Sequence, residues 1–217
     1  MSSIQSICVC GAGTMGSGIA QVAAQAGFTT IQFDVNETML EKSKASIEKS
    51  LQFLVDKQKI TNEEKVQIFR RIQFTANIKD CIANVCIEAI IEKKEAKISL
   101  FNDLWKVNNG QTILATNTSS ISINEIAEGL ESATNIVGMH FFNPVDKMPL
   151  VEVIKGPKTS DETIATVFEL SKKMGKMPVV VKDGPGFLVN RLLSRVERQS
   201  KWYRLAWLRI AKSWPEK

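Results

Sequence analysis

The segment that most constrains the fold is Gly11-Ala12-Gly13-Thr14-Met15-Gly16, set between an apolar run and a small-residue stretch. Ile4–Cys10 reads as a buried strand, Gly11–Ala26 as a helix, and Thr29–Phe33 as a second strand closed by Asp34. Glycines so spaced permit a tight turn, close approach of the backbone to a pyrophosphate, and close helix–strand packing. The helix start offers free N–H groups and a positive dipole end to phosphate. The string alone is a weak signal, but strand, glycines, helix and second strand in order give it the context of a dinucleotide site. Asp34 lies 18 residues past Gly16. A carboxylate there accepts hydrogen bonds from both ribose hydroxyls and repels a 2′-phosphate. No arginine follows in Val35-Asn36-Glu37, so the pattern favours NAD over NADP. As a bland alternative, Asp34 is a turn residue or helix cap.

Strand-like and helix-like stretches keep alternating. A polar helix is expected over Glu37 to about Gln58, with Leu40, Ile47, Leu51 and Leu54 on one face. Thr61-Asn62-Glu63-Glu64 reads as a capping box, with Thr61 or Asn62 as cap, opening a short helix to Arg71. Short strands follow at Ile72–Thr75, Val85–Ala89, Thr112–Thr116 and Ile136–His140, with helices over Lys93–Val107 and Ile123–Glu128. Leu150–Ile154 and Met177–Val181 bracket a helix near Asp161–Met174. This alternation predicts an α/β fold of the Rossmann type, a mostly parallel sheet with helices on both faces. Lys182-Asp183-Gly184-Pro185-Gly186 marks a domain boundary, giving a nucleotide-binding domain over 1–183, and the residues after it read as a helix.

Composition enters through one anomaly. The net charge of +5 across 217 residues would suggest an anionic partner. However, residues 194–217 hold seven basic and two acidic side chains, which is the whole excess, together with Tyr203, Trp202, Trp207 and Trp214. Residues 1–193 are neutral, so no nucleic-acid partner is expected of them. Cys8, Cys10, Cys81 and Cys86 lack C-x-x-C spacing, and there is one histidine, so buried reduced thiols are expected and no metal site. No apolar run approaches a membrane span. A strand starting almost at Met1 leaves no room for a signal peptide, and the expected compartment is the cytoplasm.

The sole histidine, His140, closes a predicted strand, where open parallel sheets bind ligands. Glu152 lies in a second apolar strand, where a carboxylate is costly unless paired. Bonded to one imidazole nitrogen, it would fix the tautomer and raise the basicity of the other. The bland alternative is a satisfied structural histidine.

The glycine motif, Asn117-Thr118-Ser119-Ser120, His140-Phe141-Phe142-Asn143-Pro144, Leu150-Val151-Glu152-Val153-Ile154 and Pro185-Gly186-Phe187-Leu188-Val189-Asn190-Arg191 together resemble the 3-hydroxyacyl-CoA dehydrogenases, above all the bacterial 3-hydroxybutyryl-CoA dehydrogenases. The resemblance covers residues 4–193. It implies NAD-dependent interconversion of an L-3-hydroxyacyl-CoA and its 3-ketoacyl-CoA in fatty-acid or butanoate metabolism. It also implies that His140 removes the hydroxyl proton, Glu152 orients His140, Ser119 bonds the substrate oxygen, and Asn190 helps hold the forming carbonyl. By the same resemblance, Gly11, Gly13, Thr14, Met15, Gly16, Asp34, Glu92, Lys97, Asn117, Ser119 and Asn143 serve NAD. Ser50, Lys57 and Ser119 serve the coenzyme A substrate, the first two standing otherwise on a solvated helix face.

The resemblance stops after Leu193, where family members continue into an all-helical domain that closes the cleft and forms most of a homodimer interface. Residues 184–217 are expected to begin that domain and then depart from it in an atypical basic tail from Ser194. A shifted reading frame or wrongly called gene end is the favoured origin of the tail, with a basic, tryptophan-rich helix for an anionic surface as the rival. The expected outcome is an enzyme impaired by truncation. The alternative is a catalytically dead NAD-binding fragment.

Overall fold

The computed structural model describes residues 4–193, and the readings placed on residues 194–217 lie outside them. Chain order is β1 (Ser6–Cys10), α1 (Thr14–Gln25), β2 (Thr29–Phe33), α2 (Glu37–Asp56), α3 (Asn62–Arg70), β3 (Ile72–Thr75), β4 (Val85–Glu88), α4 (Lys94–Val107), β5 (Ile113–Thr116), α5 (Ile123–Ala127), β6 (Ile136–Phe141), β7 (Leu150–Lys155), α6 (Asp161–Lys173) and β8 (Met177–Lys182), with a single 3₁₀ turn at Ile78–Asp80. Residues 189–193 are again helical. One eight-stranded sheet runs β3-β2-β1-β4-β5-β6-β7-β8. Its first six strands are mutually parallel in the doubly wound order.

The exception is β7, which runs antiparallel to β6 and parallel to β8. Only residues 142–149 join β6 to β7, too few for the crossover that a parallel neighbour requires. The reversal sets His140 directly opposite Glu152. Two side chains twelve positions apart thus become cross-strand neighbours.

The strands are buried on both faces, as expected where helices cover both sides. In β1, Ile7 and Val9 join one apolar cluster with Ile19, Ala23 and Ile47 from the α1–α2 side. Cys8 and Cys10 join the other with Phe101, Leu104, Ile123 and Ile126 from α4 and α5. All four cysteines are free and buried.

Helix starts follow side-chain chemistry. Thr61 and Glu64 form a reciprocal capping box, Asn36 accepts from Thr38 and Met39, and Ser122 and Ser160 cap α5 and α6. Helix α1 differs. Its cap is Gly13, with no side-chain bond and no acidic residue in the first turn. Every β- and α-element begins and ends within three residues of its expected position.

Candidate active site

The carboxyl ends of the strands build the site. Gly11 donates to Phe33 O (2.7 Å), Ala89 to Cys10 O (2.7 Å) and Asn117 to Glu88 O (2.8 Å), so the loops leaving β1, β4 and β5 are tied edge to edge. Gly11 has φ +110°, and a Cβ there would sit 2.5 Å from Ala89 O. At Gly16 a Cβ would lie 1.9 Å from Gly11 O, so the turn closes only with glycine there. At Gly13 a Cβ would meet nothing within 4 Å. That open space lies at the uncapped start of α1, where free N–H groups and the dipole attract a phosphate. The motif thus divides into two glycines that the protein itself requires and one that keeps space for a ligand.

Asp34 sits beside this turn. Its Oδ2 accepts from Ala12 N (2.8 Å) and its Oδ1 from Asn36 N (2.9 Å). The carboxylate therefore ties the glycine turn to the start of α2 while lining a cavity of about 770 Å³ with Gly13, Val35, Ile91 and Leu100. The cavity thus combines largely apolar walls with a fixed carboxylate. The turn residue and the ribose acceptor proposed for Asp34 are compatible roles of one side chain.

A second cavity of about 510 Å³ gathers the catalytic candidates. Met15, Glu92, Lys97, Asn117, Ser119 and His140 line it, joined by Asn143 and Asn190. His140 Nδ1 lies 2.7 Å from Glu152 Oε2. An ionised carboxylate can only accept, so Nδ1 carries the hydrogen and Nε2 is left as the acceptor. Glu152 Oε1 accepts from Leu188 N (3.0 Å) and Val189 N (2.8 Å). Burial alone would raise the Glu152 carboxyl, but the His140 bond and these two amides hold it below its ordinary value. The turn at residues 184–188 thus fixes the glutamate from behind. Phe187 from that turn and Phe142 flank the imidazole, with ring centroids 5.9 and 4.6 Å away.

Ser119 is held from below. Glu92 Oε1 accepts from the Thr118 hydroxyl, from Ser119 N (3.1 Å) and from the Ser120 hydroxyl (3.2 Å). Burial opposes ionisation of Glu92, but the Thr118 hydroxyl and Lys97 outweigh it and keep its pKa below the ordinary carboxylate value. Asn117 Oδ1 accepts from Phe141 N (2.8 Å), tying the serine loop to β6. Asn190 Nδ2 reaches Ser119 O at 3.4 Å.

Residues 6–184 match the family model described as 3-hydroxyacyl-CoA dehydrogenase, NAD binding domain. The chain belongs to the 3-hydroxyacyl-CoA dehydrogenase family. It is 46% identical over 88% of its length to the fatty acid oxidation complex subunit alpha of Psychrobacter cryohalolentis, of which it covers 27%. It is 44% identical over 86% of its length to a 3-hydroxybutyryl-CoA dehydrogenase of Clostridioides difficile, covering 67% of that protein. The crystal structure of (S)-3-hydroxybutyryl-CoA dehydrogenase from Ralstonia eutropha superposes with a TM-score of 0.86 at 41% identity, over 88% of this chain and 68% of that one. The chain therefore spans about a quarter of the fatty acid oxidation complex subunit and about two thirds of the shorter relatives.

Most of the family residues expected from sequence converge on the two cavities. Ser50 and Lys57 line neither. Both stand on the α2 side, Ser50 half-buried and Lys57 exposed at the helix end, with its ammonium 5.6 Å from the Phe53 ring. Lys97 lines the inner cavity but is almost fully buried, bound to Glu88 Oε1 (2.6 Å) and Glu92 Oε2 (3.0 Å). Glu88, fully buried at the end of β4, escaped sequence reasoning. The available signal was a carboxylate in the apolar run Val85-Cys86-Ile87-Glu88, the same one that singled out Glu152. Among the described residues, no group of three or more His, Cys, Asp or Glu is placed to hold a metal. No helix among them is long and apolar enough to cross a membrane.

Proposed function

We propose that this chain carries the cofactor and proton-transfer centre of an NAD-dependent L-3-hydroxyacyl-CoA dehydrogenase, interconverting a 3-hydroxyacyl-CoA such as 3-hydroxybutyryl-CoA and its 3-ketoacyl-CoA. The observation that carries the reading is that His140, bonded to Glu152, lines the same cavity as the glycine-motif residue Met15. The adenosine fits the outer cavity with its ribose on Asp34, the pyrophosphate fits the open space at Gly13, and the nicotinamide fits among Asn117, Asn143 and Lys97. Bound there, NAD supplies the hydride acceptor. The chain's own part is proton chemistry. His140 Nε2 takes the proton of the 3-hydroxyl, Glu152 holds Nδ1–H and stabilises the imidazolium, and Ser119 and Asn190 donate to the substrate oxygen as its charge changes. Ser50 and Lys57 would meet coenzyme A further out along α2.

We assign residues 1–183 to the NAD-binding domain, residues 184–193 to the start of a helical domain, and the protein to the cytoplasm. Four buried, unpaired cysteines suit a reducing compartment. A second reading, NAD binding without turnover, is favoured by the apolar face of Val180, Leu188, Leu192 and Leu193, at least 39% exposed among the described residues. A cleft left open there would neither exclude water nor position the acyl chain. NADH oxidation driven by acetoacetyl-CoA decides between them. Turnover that disappears in His140→Gln supports the dehydrogenase. NADH binding without turnover supports the second reading, and absence of NADH binding rejects both. We expect NADH binding with weak turnover.

A further inference from the structure

The inner cavity is backed by a buried charge cluster that proton transfer does not use. Glu88 at the end of β4 is fully buried, and Lys97 from α4 is 1% exposed. The Lys97 ammonium bridges Glu88 Oε1 and Glu92 Oε2. Glu88 is further fixed by the Thr116 hydroxyl on Oε2 (2.7 Å) and by Ile90 N on Oε1 (2.8 Å). Both oxygens of this carboxylate are thus bonded, Oε1 twice and Oε2 once, and its position is set by β4, β5 and α4 together. Two carboxylates share one ammonium, so the cluster carries one net negative charge behind the wall shared by Lys97 and Glu92.

Stability does not account for this arrangement. Taking ions out of water is costly, and an apolar pair of similar volume would pack a buried wall at least as well. A net charge fixed next to the redox end of a cofactor does have a consequence. The nicotinamide ring is cationic when oxidised and neutral when reduced, so a neighbouring charge binds the two forms unequally.

We propose that Glu88 is a specificity-determining residue for the redox state of the cofactor, supplying through the Glu88–Lys97–Glu92 cluster a net negative charge that favours NAD⁺ relative to NADH. The inference rests on the nicotinamide position given under the proposed function. Glu88 itself lies behind the cavity wall and acts through the field it contributes. His140 also lines the cavity, and the charge of its pair with Glu152 is common to all variants compared below.

The test is the ratio of dissociation constants of NAD⁺ and NADH on the full chain, by calorimetry and NADH fluorescence, with neither requiring turnover. Glu88→Gln makes the cluster neutral, and the ratio Kd(NAD⁺)/Kd(NADH) rises about threefold to tenfold, the range expected for one charge acting across a partly screened protein wall. The double variant Glu88→Gln with Lys97→Met restores one net negative charge, and the ratio returns towards that of the unmodified chain although two buried side chains have changed. A merely structural role for Glu88 would weaken both forms together and leave the ratio fixed. Glu92→Gln likewise makes the cluster neutral and moves the ratio in the same direction as Glu88→Gln, which reads the same charge if Glu88→Gln loses its cooperative melt. An unchanged ratio in a folded Glu88→Gln or Glu92→Gln chain overturns the proposal. If the unmodified chain binds neither form, it is the nicotinamide position that fails.

Discussion

Replacing Glu152 by glutamine tests the proton-transfer centre with one atom. The native carboxylate accepts three hydrogen bonds, from His140 Nδ1 at 2.7 Å, Val189 N at 2.8 Å and Leu188 N at 3.0 Å. Glutamine has the same shape but one acceptor oxygen. Because two fixed amides converge on Oε1, the remaining oxygen stays there and the new amide nitrogen faces His140. That nitrogen can only donate, so His140 Nδ1 must become an acceptor and the imidazole hydrogen moves to Nε2. The ring that faced the cavity as an acceptor then faces it as a donor. Each of the three bonds also falls from charge-assisted to neutral strength, a loss of about 1 kcal/mol apiece and about 3 kcal/mol in all at this fully buried position. For a domain of this size the melting temperature falls by about 6–12 °C. The assay is direct because His140 is the only histidine, so the ¹⁵N shifts of one imidazole report the tautomer without assignment. NADH affinity is retained, since Glu152 lines neither cavity. An Nε2-bare imidazole in both proteins, or unchanged thermal stability, would rule out this role for Glu152.

Other expected outcomes follow from the same geometry. Gly13→Ala leaves the melting temperature of the free chain almost unchanged, because its Cβ meets no protein atom, but it weakens NADH binding by about tenfold or more, about 1.4 kcal/mol of phosphate contact. Gly16→Ala lowers both melting temperature and NADH affinity, since its Cβ would collide with Gly11 O. Asp34→Ala removes the acceptor for Ala12 N and Asn36 N together with the carboxylate that repels a 2′-phosphate, so the preference for NADH over NADPH in paired titrations narrows. Glu92 and Glu152 have carboxyls held below their ordinary value in the folded chain. Their stabilisation is complete above that value and disappears as pH falls through the folded values, so urea midpoints drop on acidification and the Glu152→Gln chain drops less. A pH-independent difference between the two chains would contradict this assignment.

Much of this architecture is legible in local chemistry. The capping box at Thr61 appears as read, because both partners lie within one turn and need no tertiary context. The glycine motif likewise gives the β1–α1 turn, although only the folded chain separates the glycines needed for packing from Gly13, which faces open space. The pairing of His140 with Glu152 was readable as chemistry but not as geometry. It depends on β7 reversing direction, and the shortness of the 142–149 connection is the sequence trace of that reversal. Lys97 shows the opposite limit. The family resemblance implies a cofactor contact for Lys97, whereas its burial between Glu88 and Glu92 comes from the convergence of β4, β5 and α4. No periodicity within one element encodes such a meeting.

The carboxyl ends of β1, β4, β5 and β6 in this chain are expected to form a complete nicotinamide–adenine dinucleotide site. Titration of the full chain with NADH, followed by cofactor fluorescence, tests it most directly. Saturable binding in the micromolar range, displaced by NAD⁺ and lost in Gly13→Ala, is the predicted result. A folded chain that leaves NADH fluorescence unchanged through millimolar cofactor would contradict the account.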